Sequence, residues 1–561
     1  MKSLKTNFKL ACLSLLICST ACKNKTPNPA LAFIDLNRGE IVLCGGDVFG
    51  EVSFSSTCNY ETRETFDLAV SLLHSFEYDE AEKAFVQVLD ADPDCAMAYW
   101  GVAMSILNHP KFGPGKEGYK KAIKILKIGE PLSKTTREQE YFDAISAYYE
   151  NDWGSTNHLT RARKMEKHME DIYSKYTDDK EAAIFYALSL FATADSKDKD
   201  YIKQKKAGGI LESIFPDQPD HPGIAHYIIH HYDHPELAKL ALSTARRYAN
   251  IAPGSAHAQH MPSHIFTRLG LWDESIESNL NSASSAHCYA GETGMDGHWS
   301  REIHALDYLV YAYLQKGDNA SAMKQYEYLL SINKVNPSTS SPFNLGAISA
   351  RVFLENRRWD KAAQLKHHPS NVEWDNFPWE MSTLQFARVL GAAKTGNIIL
   401  ASKELVMLKS LQQDLVKLED TYRSDQVMIL VKAAEAWINF ANGNQIKALA
   451  LMQESAVLEA ETGKHPATPG EVLPAIELLG DMLLEMNKPV KALEAFELNL
   501  KRSPNRFNGV YGAAVAAKRS GNNEKARMYF EQLLELAKES NSNRPELIEA
   551  NAFIDSADDS V

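Results

Sequence analysis

Eleven of the eighteen histidines fall between positions 221 and 304: His221, His226, His230, His231, His234, His257, His260, His264, His287, His298 and His304. Two pairs, His226/His230 and His260/His264, share the spacing H-x-x-x-H. On a helix, residues four apart lie on one face with Cβ atoms about 5–6 Å apart. Two imidazoles so placed can point at one ion, and neutral imidazole suits zinc, copper, iron and nickel. Two readings follow: core or capping histidines bonded to backbone, or a site for a metal or an anionic ligand. Asp233, Glu302 and Asp307 stand as carboxylate ligands or as acceptors that orient an imidazole. Neither pair contains the glutamate of H-E-x-x-H, so no general base is identified.

Other residues nearby carry weaker signals. Arg246, Arg247 and Arg268 have the fork that binds carboxylate or phosphate; the plain alternative for the first two is a solvated helix face. Trp272 and Trp299 read as packing residues, and Gly291, Gly294 and Gly297 as a loop before His298 that is either a lid or an ordinary connection.

Composition sets the class. The 561 residues are 44% hydrophobic and 24% charged, with net charge −13, which is the profile of a folded soluble chain and disfavours general nucleic-acid or anionic-membrane binding. No P-loop, dinucleotide fingerprint or G-x-S-x-G serine motif occurs.

At the N-terminus Lys2, Lys5 and Lys9 precede an apolar stretch from Leu10 to Thr20, followed by Ala21 and Cys22. Residues 1–22 resemble a bacterial lipoprotein signal, which implies lipidation of Cys22, a palmitate-type membrane anchor and an outer-membrane protein facing the periplasm or the exterior. Ser19 stands where leucine is usual, which leaves ordinary secretory cleavage open. Residues 23–59 read as a tether followed by a Gly-rich loop between Cys44 and Cys58. In an exported protein that pair is expected to form a disulfide, with two buried thiols as the alternative. Cys95 and Cys288 read as core positions.

From about residue 60 the text is helical, with apolar residues at three and four and a turn every 15–20 residues. Leu68, Ala69 and Leu72 lie on one helix, FEYDEA turns, Ala81 and Phe85 lie on the next, and Asp92-Pro93 ends it. In 473–504, Ile476, Leu479, Gly480, Leu483, Ala492, Phe496 and Pro504 recur at matching offsets, with Asn499 departing from the usual small residue. These stretches resemble tetratricopeptide repeats, and with HYIIHHYDHPELA and HAQHMPSHIFTRLG a bacterial lipoprotein subgroup of them without established activity. The resemblance implies an all-α superhelix of about twelve helix pairs with a concave groove. Expected boundaries are a histidine-rich array over 60–335, a second array over 336–540 and a disordered tail over 541–561.

The resemblance also sets a register. With Ser275, Ala322 and Ala238 at the repeat's signature small position, His257, His260, His264, His304, Asp307 and His230 take offsets that face the groove in family members. His226 falls at a packing offset unless its helix is rotated. The expected metal ligands are therefore His226, His230, His257, His260, His264, His304 and Asp307, for a divalent zinc, copper or iron ion. Arg268 and Glu477 are expected to line the groove for a ligand. The reading is an envelope-anchored protein that binds a protein or peptide partner or a ligand in its groove. The alternatives are a metalloenzyme of unknown reaction and a scaffold without metal. Starch-binding outer-membrane lipoproteins also embed such repeats, but carry long insertions that this chain lacks. No nucleic-acid partner is expected.

Overall fold

The computed structural model describes residues 26–46, 48–150, 152–195, 197–336, 341–370, 372–465, 468–540 and 542–558. The signal segment and Cys22 lie outside the described residues. Among those described, the regular elements are α- and 3-10 helices, with one isolated bridge between His298 and Val335.

Consecutive helices pack as pairs, as Arg63–His74 does with Tyr78–Ala91, Trp272–Glu292 with Ser300–Gln315, and Phe507–Arg519 with Asn523–Leu536. Small residues allow the close approach: a Cβ on Gly101 would sit 2.3 Å from the Phe85 ring. The apolar core crosses residue 335, since Ile303, Leu306 and Leu309 share one buried cluster with Leu345, Ile348 and Val352.

The superhelix winds tightly enough for its far end to return to its middle. Trp272 Nε1 donates to the Asn505 carbonyl at 2.8 Å, and Asn505 Nδ2 donates to the Gly270 carbonyl at 3.1 Å. Gly270 ends its helix at φ 68°, and a Cβ there would lie 2.6 Å from the Pro504 carbonyl oxygen, so this contact requires glycine.

Three expectations are corrected. The expected tether is packed from its first turn: Leu31, Leu36, Phe49 and Phe54 are buried in the main core, and Arg38 pairs with Asp90 at 2.5 Å. The Cys44/Cys58 disulfide does not form. Cys44 bonds Cys288 and Cys58 bonds Cys95, with Cα–Cα separations of 6.0 and 4.6 Å. The N-terminal segment runs across the ends of helices far off in sequence, so each thiol meets one of theirs first. The expected disordered tail is helical over most of its described residues. Residues Pro545–Asp558 form a helix that buries Leu547 and Ala550 against Phe530 and Leu533.

Candidate metal centre

The centre is built by three neighbouring parts of the array. His221 caps the helix Pro222–Tyr232, accepting from Gly223 N, and Pro222 occupies its first turn, where its missing N–H costs nothing. This helix carries His226 and His230 one turn apart. Ser255 caps Ala256–His260 by accepting from Ala258 N, and Pro262 restarts the helix as Pro262–Leu269. That broken helix carries His257, His260 and His264. Ser300–Gln315 carries His304.

The six histidines form two groups of three. His226, His230 and His257 make one, and His260, His264 and His304 the other; within each, the three ligand nitrogens lie within 4.8 Å of one another. His226 Nε2 is 3.0 Å from His257 Nε2, and His260 Nε2 is 3.1 Å from His264 Nε2. Two nitrogens each bonded to one ion at about 2.0–2.1 Å are about 3–3.4 Å apart in ordinary coordination angles. The inter-ring contacts thus have the length of an edge of a coordination shell.

The outer nitrogens fix which inner ones carry lone pairs. His226 Nδ1 donates to the His74 carbonyl at 2.6 Å. Asn279 Nδ2 donates to the Ser275 carbonyl, so Asn279 Oδ1 faces His260 and accepts from its Nδ1 at 2.6 Å. His264 Nδ1 donates to Asp233 Oδ2 at 3.0 Å. Burial would raise the Asp233 carboxyl, but Lys464, Arg268 and His264 hold it well below the usual range, so it is an acceptor only. Both His260 and His264 therefore keep their protons on Nδ1, and two lone pairs face each other across 3.1 Å. Protonating either ring would relieve this, but burial pushes both downward. His226 and His304 are pushed down to about 3 by the same cause. His230 Nε2 is buried without a hydrogen-bond partner among the described residues. The facing lone pairs leave a place that a cation would fill.

Beneath the first group lies another histidine cluster, His74, Glu181 and His221. Here every nitrogen is used. Glu181 accepts from His74 Nε2 at 3.0 Å and His221 Nε2 at 2.9 Å, while His74 Nδ1 meets Tyr227 and His221 Nδ1 accepts from Gly223. This cluster is a satisfied network that positions the carbonyl holding His226. A further group, His287, His298 and Glu302, sits nearer the surface.

Several expected site residues are placed elsewhere. Asp307 is no ligand: it is fully buried and bound by Arg351 Nε at 3.0 Å and Asn344 Nδ2 at 3.1 Å. Arg268 is not free for a ligand, since its Nε and a terminal nitrogen hold the Asp233 carboxylate and carbonyl. Glu477 is enclosed with Arg506, at 2.9 Å, and Asn499, at 3.0 Å. Glu302 accepts from His298, not from the six-histidine centre. Arg246 pairs with Glu274, and Arg247 reaches the Pro219 carbonyl. Trp299 stacks on Tyr289. The glycine loop is pinned through His298 to Lys334 and Asn336 and is no lid.

Sequence reasoning passed over Lys464, Thr468, Asn279 and His74. Lys464 Nζ donates to Asp233 Oδ2 at 3.3 Å and to the Thr468 carbonyl at 3.0 Å, and Tyr308 reaches the same carbonyl. Lys464 and Thr468 thereby strap the centre from the C-terminal half. Nothing in the spacing of Asn279 marked it beforehand.

Family models described as tetratricopeptide repeat match residues 66–112 and 510–540. The chain thus contains tetratricopeptide repeats near both ends, and its described residues fold as a helical array. No curated protein matches it. Among solved structures it is similar to the human IFIT1 dimer with m7Gppp-AAAA, at 11% identity over 84% of this chain and 95% of that one, with TM-score 0.33. It is likewise similar to the human IFIT1 dimer with PPP-AAAA, at 12% identity over 84% and 94%, with TM-score 0.36. At these TM-scores nothing about this chain's ligand follows from them. No helix among the described residues is long and apolar enough to cross a membrane.

Proposed function

We propose that this protein is an envelope-anchored tetratricopeptide-repeat protein that binds transition metal at its six-histidine centre. The observation that carries the reading is the facing lone pairs of His260 and His264 at 3.1 Å, fixed by Asn279 and Asp233 and enclosed where an imidazolium is disfavoured. A transition-metal ion converts that repulsion into two bonds. The signal-like segment ending at Cys22 supports an anchor on the outer membrane, with the array exposed to the periplasm or exterior.

The test is metal analysis of the mature chain, purified without a histidine tag, beside a His260→Ala/His264→Ala variant. Bound metal in the wild type, reduced in the variant by the share of the His260/His264/His304 group at unchanged helical content, is the expected result. A wild type that holds no zinc, copper or iron after loading overturns the metal reading. The anchor is tested separately: Cys22→Ala should move the protein from the membrane fraction to the soluble one.

A further inference from the structure

The two groups of histidines are not two separate sites. Across them, the His230 and His264 rings lie 6.3 Å apart and the His257 and His260 rings 6.5 Å apart. Within them the rings lie 4.3–6.4 Å apart. The shortest spacings between groups thus match the longest inside each, so ions held by the two would be neighbours in one enclosure.

Charge selects the ions. Both groups consist of neutral imidazoles, which suit copper, zinc, iron and nickel, with copper(II) at the top of the affinity order. Asp233, the nearest carboxylate bonded to the centre, is already shared by Arg268 Nε at 2.8 Å and Lys464 Nζ at 3.3 Å as well as His264. Arg301, three residues before His304 on the same helix, is already paired with Glu77 at 2.8 Å, so that carboxylate is not free either. A pair of divalent ions would bring charge that no free carboxylate offsets, which is costly in an enclosed site. Two copper(I) ions bring half as much.

Access is narrow. His226, His260 and His264 are buried, whereas His230, His257 and His304 are half-buried. The less enclosed side of the centre is thus formed by His230 and His257 of one group and His304 of the other.

We infer that the two groups hold a pair of copper ions side by side, and that dioxygen is the molecule taken between them. This rests on the metal reading above and deepens it. Each copper(I) gives one electron to dioxygen. Two copper(II) ions and a bridging peroxide dianion result, the O–O bond order falls from two to one, and no proton is taken up. The net charge of the centre is the same before and after, so the positively charged surroundings do not oppose the oxidation.

The experiment strips the protein with chelator, loads it with copper(I) without air, removes excess copper and counts copper per chain by mass spectrometry. Air is then admitted while absorption and electron paramagnetic resonance are recorded. Two coppers per chain are expected, with a new near-ultraviolet band and an oxidised form that gives almost no resonance signal because the paired spins cancel. His304→Ala should halve the copper and give the full signal of one isolated copper(II). His226→Ala should do the same from the other group, which covers the case in which either variant folds poorly by circular dichroism. One copper per chain in the wild type overturns the pair while leaving the metal reading standing. No retained copper, zinc or iron removes both. Two coppers with the full signal of isolated ions overturns the bridged pair.

Discussion

Arg506 and His260 are both enclosed, at 0% and 2% exposure, and their surroundings treat charge in opposite ways. Around Arg506 every polar atom is answered. Its Nε and a terminal nitrogen hold both oxygens of Glu477 at 2.9 and 3.0 Å, and it reaches Glu355 at 2.8 Å and Tyr311 at 3.0 Å. Asn499, Gln315 and Asn508 fill the remaining acceptor positions on the two carboxylates. Around His260 the outer nitrogens are answered with equal care and the inner ones are left facing each other. A cluster evolved only for stability resembles the first. The second makes sense as a receptor, since its unmet valences converge on one small volume.

The largest effect is expected from breaking the completed cluster. Arg506→Met leaves Glu477 and Glu355 enclosed without their cation and should destabilise the fold by about 3–5 kcal/mol, read from urea unfolding. Metal content per folded molecule should stay at the wild-type level. A loss of metal alongside normal stability would show that the two interiors are not independent.

The incomplete cluster should answer the opposite way. His260→Ala/His264→Ala should cost the metal-free protein less than two ordinary buried truncations, because relief of the facing lone pairs offsets part of the cavity left and of the donors lost to Asn279 and Asp233. Bound metal should stabilise the wild type, by about 4 kcal/mol per ion at a thousandfold excess over Kd, and the variant by less because it keeps only the His226/His230/His257 group. Thermal unfolding with and without chelator checks both. The pH dependence follows from the same burial. In the metal-free fold His226 and His304 are pushed down to about 3, against an ordinary value of 6.5. The unfolded chain therefore binds more protons than the folded one between those values, and stability present above pH 6.5 is lost as pH falls. Metal-free protein should weaken across that window, and metal should move the acid midpoint lower. An acid midpoint indifferent to metal would count against the centre.

The two interiors also differ in how far sequence reveals them. The helix pairs are written in local apolar periodicity, and His226/His230 and His260/His264 are written in a spacing of four, because both depend on the geometry of one helix. Repeat register brought His257 and His304 to the same groove. It could not sort the six into two groups, which depends on how three helices rotate against one another. Register failed at Asp307, which faces inward as expected but meets Arg351 of the helix Ser341–Leu354. It failed again at Glu477, whose partner Arg506 lies 29 residues on. Lys464 reaches Asp233 across 231 residues only because the superhelix closes on itself, and no local pattern encodes that return. The disulfides hide for the same reason, with sequence separations of 244 and 37.

The smallest and most discriminating effect concerns Asp233, where the two kinds of interior meet. It completes an ion cluster with Arg268 and Lys464, and it holds the Nδ1 proton of His264. Asp233→Asn keeps an acceptor for His264 but removes the negative charge that makes the imidazole a better donor to metal and offsets two cations. Metal affinity should fall about 10–100-fold, measured by competition with a chelator of known strength, with helical content unchanged. Lys464→Met should shift affinity the other way. Burial already pushes that amine down to about 8, and removing it leaves Asp233 to Arg268 and His264 while taking a positive charge away from the centre. Opposite shifts in the two variants mean that the strap tunes the metal. Equal losses mean that Asp233 and Lys464 serve only to fasten the C-terminal half over the histidines.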